Sequence, residues 1–221
     1  MKPQESFPVD PVQLRNLKRL VAQGEGAHLE FKRKAAFPEK IVREMIAFAN
    51  SKGGILLVGI GDDLSIPGLK HPEDDSHVIR EALKKCKPTL VVKEMFIAIG
   101  NNRSVIQYEV PESRRKPHYY LSGGGLKEAF VRVEDRSIKA SREMREIARR
   151  AHQKNGVRFH YGDHERILIK YLDEHKTITL KKFIQLSGLK SFYASKKLVL
   201  LVLANVLKIA PDEKGDVFSL K

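Results

Sequence analysis

The sequence predicts a mixed α+β fold in two parts: an α/β domain over residues 1–152 and, after a linker at 153–162, a smaller unit of three helices and a terminal β-hairpin over residues 163–221. Three observations predict it. Apolar residues recur at helical spacing in some segments and in alternating or continuous runs in others. The polar, glycine-containing stretch Gln153-Lys154-Asn155-Gly156 interrupts both patterns. A chain of 221 residues with 42% hydrophobic composition is long enough for one core of ordinary domain size and a smaller second one.

In the first part, Leu14, Leu17, Leu20 and Val21 lie at helical spacing from Val12 to Ala22, and Gly24 ends that helix. Ala27-His28-Leu29-Glu30-Phe31-Lys32 alternates as a strand with one face in water. Pro38 opens a helix whose apolar positions are Ile41, Met45 and Phe48. After Gly53-Gly54, the continuous run Ile55-Leu56-Leu57-Val58-Gly59-Ile60 fits a central strand covered on both faces, ending at Gly61-Asp62-Asp63. Ile66-Pro67-Gly68 is a turn, and residues 73–86 read as a helix. Leu90–Ile99 and Val105–Val110 read as a hairpin joined at Gly100-Asn101-Asn102. A strand from Ala129 to Val133 and a charged helix from Ser141, its N-cap, to Ala151 close the domain.

In the second part, Asp163 caps a helix carrying Ile167, Leu168, Tyr171 and Leu172 on one face. Thr179 caps a shorter helix through Phe183 and Ile184 to Leu186, ended by Gly188. A third helix runs from Phe192 to Ala204, followed by a hairpin of Val206–Ile209 and Val217–Leu220 around Pro211-Asp212-Glu213-Lys214-Gly215. Three helices and then a hairpin is the order of a winged helix-turn-helix domain, whose third helix enters the major groove. Lys190, Ser191, Tyr193, Ser195, Lys196 and Lys197 cluster near the start of that helix and are the candidate nucleic-acid contacts. Leu198 to Val206 is almost entirely apolar, which fits core packing or, as the alternative, a homodimer face suited to a palindromic site. Winged helices also serve as protein-interaction modules; the local charge places nucleic acid first.

That charge is large. Lys and Arg number 41 against 27 Asp and Glu, a formal net charge of +14, and both halves of the chain are basic in their own right. The partner it implies is a phosphate polymer, DNA or RNA. A membrane is the poorer fit: no basic amphipathic segment has a wide aromatic face, and no apolar run approaches the ~20 residues of a span. The first residues do not read as a signal peptide. The single cysteine, Cys86, has no disulfide partner within the chain, so a reducing, cytoplasmic setting is expected, with Cys86 as a small core residue rather than a nucleophile.

Four ordered segments carry a resemblance: Glu25-x-x-x-x-Glu30-Phe31-Lys32, Ile46-Ala47-Phe48-Ala49-Asn50-Ser51-x-Gly53-Gly54, Val58-Gly59-Ile60-Gly61-Asp62-Asp63 and Ile66-Pro67-Gly68. They resemble the Schlafen/AlbA-type domain, once labelled a divergent AAA-like domain, over residues 20–145. Lys116-Pro117-His118-Tyr119-Tyr120 and Phe130-Val131-Arg132-Val133 are similar to that family's closing strands. The resemblance implies a nucleic-acid-binding fold, with bacterial members serving as transcriptional regulators or defence-type DNA and RNA binders. It also implies, from the animal Schlafens, a metal-dependent endoribonuclease acting on structured RNA through three carboxylates, which match Glu25, Glu30 and Asp62. Carboxylate oxygens suit Mg²⁺ or Mn²⁺, ions that stabilise both oxygens of a phosphodiester displacement. Lys32, two residues along the same strand face from Glu30, is placed to meet a phosphate, although Glu30 and Lys32 also read as a surface ion pair and Asp62 as a turn residue. The animal nuclease pairs two such lobes and this sequence carries one, so binding without cleavage is the first reading and the endoribonuclease the alternative.

ATP enters as a cofactor through the resemblance alone. No G-x-x-x-x-G-K-[ST] loop is present, and neither Gly53-Gly54 nor Gly123-Gly124-Gly125 lies between a strand and a helix in the required order. The eight histidines are scattered, without zinc-site spacing.

Overall fold

The computed structural model describes residues 8–151 and 159–221; the expected linker stretch 153–158 lies outside them. The chain divides into two compact units, one up to Ser137 and one from Ile138. The sequence places the Ser141 helix at the end of the first domain, whereas its contacts group it with the second unit.

The first unit opens with α1 (Pro11–Val21). The Asp10 carboxylate accepts from the N–H groups of Val12 at 2.8 Å and Gln13 at 3.3 Å, which satisfies two of the donors every helix start leaves open. Then follow β1 (Leu29–Lys32), α2 (Pro38–Asn50), β2 (Gly54–Val58), α3 (Pro72–Leu83), β3 (Cys86–Lys87), β4 (Lys93–Gly100) and β5 (Arg103–Val110). The main sheet has the order β1-β2-β5-β4. β1 and β2 pair in parallel, Glu30 opposite Leu56, and the other pairings are antiparallel. A parallel pair needs a crossover, which α2 supplies.

Both faces of that sheet are covered, as the continuous apolar run of β2 predicts. Leu56 and Val58 pack with Ile41, Met45 and Phe48 of α2 and with Ile106, Tyr108 and Val110 of β5. Leu57 packs on the opposite face with Leu17 and Val21 of α1, Phe31, Ile97 and Val105. The β4–β5 turn holds Asn101 and Asn102 at φ of +52° and +51°, the left-handed pair that a tight hairpin requires. Gly53-Gly54 likewise has a local explanation. Gly53 has φ +76°, and a Cβ on Gly54 would lie 2.5 Å from the Phe48 ring, so helix α2 and strand β2 approach too closely for side chains there.

The structure corrects one helix end. α3 stops at Leu83 rather than at residue 86, and Cys86 begins the short strand β3. A tight turn ends the helix, the Lys85 N–H donating to the Ala82 carbonyl at 3.1 Å, and the chain then enters β3. Cys86 is buried among Val42, Ile46, Ala82 and Tyr120, the core role expected of it. β3 pairs with β6 (Tyr119–Leu121), which pairs with β7 (Lys127–Glu128); β8 (Phe130–Val133) and β9 (Arg136–Lys139) form a separate hairpin. Of these closing strands β8 is read from the apolar pattern and β6 overlaps the Lys116–Tyr120 segment singled out by the resemblance, whereas β3, β7 and β9 are too short for a period to be read.

The second unit contains α4 (Arg142–Arg150), α5 (Asp163–His175), β10 (Thr177–Thr179), α6 (Leu180–Ser187), α7 (Ser191–Leu203), β11 (Leu207–Ala210) and β12 (Val217–Leu220). Ser141 caps α4, its Oγ accepting from Met144 N–H at 2.9 Å. Thr179 caps α6, and Gly188 closes it in the left-handed conformation. The cap of α5 is Gly162 rather than the expected Asp163; Glu165 reaches back to accept from the Gly162 N–H at 3.0 Å. The expected hairpin is present as β11 and β12, with β10 on the far side of β12. Leu198 and Leu201 of the apolar half of α7 are buried with Leu168, Leu172, Phe183, Leu207 and Phe218, which is the core-packing reading of that segment.

Candidate nucleic-acid interface

In the first unit the three candidate carboxylates occupy different environments. Glu25 is exposed in the turn before β1, and its Oε1 accepts from the Phe31 N–H at 2.7 Å. Asp62 is exposed in the turn after β2. Its neighbour Asp63 anchors that turn, accepting from the Ser65 hydroxyl at 2.5 Å and the Ser65 N–H at 3.1 Å, bonds that hold its carboxyl below the ordinary value. Glu30, by contrast, is only 6% exposed. The polar face of β1 is therefore not in water as its alternation predicts.

Arg132 of β8 is the reason. Its guanidinium, itself buried, donates to Glu30 Oε2 at 2.7 Å and to Glu44 Oε2 of α2 at 2.9 Å. It also donates to the carbonyls of Gly26 at 2.8 Å and Leu29 at 3.3 Å, and lies 4.9 Å from the centre of the Phe48 ring. Lys32 pairs with the other oxygen, Glu30 Oε1. Both oxygens of Glu30 are thus engaged by cations. Burial pushes the Glu44 carboxyl above its ordinary value; the hydrogen bond from Ser137 opposes that shift and the charge of Glu30 adds to it. The planar guanidinium suits this role because it serves two carboxylates and two carbonyls from one fork. Among the described residues no group of three or more His, Cys, Asp or Glu is placed to hold a metal ion, so Glu25, Glu30 and Asp62 are not gathered into one.

Asn50 and Ser51, from the same motif as Gly53-Gly54, tie the closing strands to α2. Asn50 accepts from the His118 N–H at 2.7 Å and donates to the carbonyls of His118 at 3.0 Å and Phe130 at 2.9 Å; Ser51 accepts from the Arg132 N–H at 2.8 Å. These motif residues hold the fold. The sequence signal for Arg132 was a lone charge inside the apolar strand Phe130-Val131-Arg132-Val133.

In the second unit α7 turns Ala194, Ser195, Leu198 and Val199 inward, which leaves Ser191, Phe192, Tyr193 and Lys196 exposed, with Lys190 exposed at the cap. Phe192 is 53% and Tyr193 56% exposed, their rings edge to face at 5.5 Å. The remaining candidates have structural partners. Ser195 donates its hydroxyl to Glu143 of α4, and Lys197 pairs with the buried Glu165. Burial acts to raise the Glu165 carboxyl, but Lys197 and the Gly162 N–H outweigh it and hold the group below its ordinary value.

The family model described as Schlafen, AlbA_2 matches residues 25–141. The chain belongs to the Schlafen AlbA_2 family. The AlbA_2 match begins at Glu25 and takes in β1, α2, the Asp62 turn and Arg132. Seven chains of solved structures are similar to this one, among them the following two. One is the DIP2311 protein from Corynebacterium diphtheriae, at 15% identity and a TM-score of 0.47, covering 95% of this chain and 38% of that one. The other is the N-terminal domain of a protein related to the ATP-dependent DNA helicase RecG, from Nitrosomonas europaea, at 23% identity and a TM-score of 0.41, covering 71% of this chain and 99% of that one. The chain thus spans well under half the length of the corynebacterial protein. A search of curated proteins gives no match. Among the described residues no helix is long and apolar enough to cross a membrane.

Proposed function

We propose that this AlbA_2 protein binds DNA or RNA without cleaving it, that its second unit is a winged helix-turn-helix, and that the exposed start of α7 is the contact surface. The observation that carries the reading is the group at that start: Lys190, Ser191, Tyr193 and Lys196 face solvent on the first turns of the helix that a winged helix presents to nucleic acid. The element order α5-β10-α6-α7-β11-β12 and the net charge of +14 support it. A regulatory or defence role of the kind found among bacterial family members fits such a binder.

The geometry of Glu30 favours binding over the endoribonuclease reading. A carboxylate with one oxygen on Arg132 and the other on Lys32 is neutralised and occupied, whereas a metal ligand must offer a free, negative oxygen. The test is a gel shift run beside a cleavage assay, using the full chain with tRNA, rRNA and DNA in Mg²⁺ or Mn²⁺. The expected result is retarded, intact nucleic acid. Metal-dependent cleavage by the wild type that disappears in Glu25→Ala and Asp62→Ala, with binding retained, would overturn the reading in favour of the nuclease.

A further inference from the structure

We infer that the nucleic acid held at the start of α7 is single-stranded, with unpaired bases stacking on Phe192 and Tyr193 and the backbone passing over Lys196; this rests on the binding reading above. Two clefts flank that start. One, of about 270 Å³, lies between α4 and α7 and is lined by Phe192, Lys196, Arg142, Arg149 and Arg150. The other, of about 260 Å³, is lined by Tyr193 and again by Lys196. The first cleft offers the exposed ring of Phe192 and the second those of Tyr193 and Phe159, and Lys196 stands on the wall common to both. Sites for drug-sized ligands run to roughly 300–1,000 Å³, so each cleft suits a single ring system. Adjacent bases of one strand, one per cleft, place their linking phosphate near the Lys196 ammonium.

The charge of the larger cleft is unbalanced in the sense an anion needs. Among the described residues that line it the one carboxylate, Glu146, is shared between Arg149 at 2.6 Å and Arg150 at 3.8 Å. Arg142 lies over the Phe192 ring, 5.4 Å from its centre, a cation–aromatic pair onto which a base can continue the stack.

Two features favour a single strand over a duplex. In a duplex the base faces are already stacked on one another, and sequence is read at base edges by Arg, Lys, Asn or Gln. The first turns of α7 do present a serine and two lysines, but their large exposed side chains are the rings of Phe192 and Tyr193, which need an open base face to stack on. The second feature is α4, which packs along α7 through the Glu143–Ser195 hydrogen bond. A helix with its side chains is already about 10–12 Å across, close to the ~12 Å width of the major groove, so a helix flanked by another along this face has no room to enter.

The test measures binding of the full chain to a fluorescein-labelled 12-nucleotide single strand, as DNA and as RNA, and to the matching duplex. Single strands are expected to bind more tightly. Phe192→Ala and Tyr193→Ala should each weaken single-strand binding by about 5-fold to 100-fold, with little change for the duplex. Phe192→Trp should restore affinity, and because the chain has no tryptophan, its emission should be quenched when a base stacks on it. Equal or tighter duplex binding overturns the inference. So does single-strand affinity that survives both alanine variants but falls in Lys196→Ala, a result that leaves the binding reading standing. Failure of both polymers to bind overturns the inference and that reading together.

Discussion

Replacing Arg132 with methionine should be among the most damaging single changes to the first unit. The side chain is 98% buried and serves Glu30, Glu44 and the carbonyls of Gly26 and Leu29. Removing one partner of a buried ion pair costs about 3–5 kcal/mol, because the other charge stays buried without compensation. Glu30 keeps Lys32 and Glu44 keeps Ser137, which limits the loss on each; two carboxylates are affected, which restores it. A total of about 3–5 kcal/mol corresponds, for a unit of this size, to a fall of roughly 10–20 °C in melting temperature. The assay is urea or thermal unfolding followed by circular dichroism, run as a cycle of Arg132→Met, Glu30→Gln and the double variant. The double variant should recover part of the loss, since Gln no longer buries a charge. Arg132→Met within about 0.5 kcal/mol of wild type, or a double variant no better than the sum of the singles, would refute the clamp.

Other consequences follow from the same structure. Lys197→Ala should destabilise the second unit by about 1–3 kcal/mol, by stranding the buried Glu165 carboxylate, while the exposed Lys196→Ala leaves the unfolding midpoint unchanged; equal effects would contradict the division between them. Cys86 should resist thiol reagents in the native protein and react only on unfolding, since burial pushes its pKa up to about 12. Burial holds His118 below its ordinary value, against the hydrogen bond with the Pro88 carbonyl and with help from the charge of Lys116. The folded state therefore takes up this proton less readily than the unfolded chain. Its contribution is complete above the unfolded value of about 6.5 and is lost as pH falls from there towards the lower folded value. The urea midpoint should accordingly fall between pH 7.5 and 5.5, and fall less in His118→Gln; an identical slope in the variant would sink this assignment.

Much of the architecture is legible because long apolar periods and local caps encode it. The α2 and β2 segments, the Asn101-Asn102 hairpin and the Thr179 and Ser141 caps all depend on neighbours in sequence. The short strands β3, β6, β7, β9 and β10 carry no such period. The environment of Glu30 was illegible for a different reason. Alternation in β1 correctly separates its two faces, but whether the polar face meets water depends on Arg132, 102 residues further along the chain. At the start of α7 the sequence identifies the lysines and Tyr193 by charge and position. It does not separate Lys196 from Lys197, because the Lys197–Glu165 pair is a tertiary contact. Phe192 enters the sequence reading only as the start of the third helix, and it is the packing of Ala194, Ser195 and Leu198 that turns it outward.

The central claim, that nucleic acid binds through phosphate contacts at the start of α7, is tested most directly by the salt dependence of binding. Affinity of the full chain for an oligonucleotide is measured from 50 to 300 mM salt for the wild type and for Lys190→Ala and Lys196→Ala. The account predicts that log affinity falls linearly with log salt, and that each substitution reduces the steepness by about 0.7–0.9, the loss of one phosphate contact. A binding constant that does not respond to salt, or a slope that neither substitution alters, would contradict it.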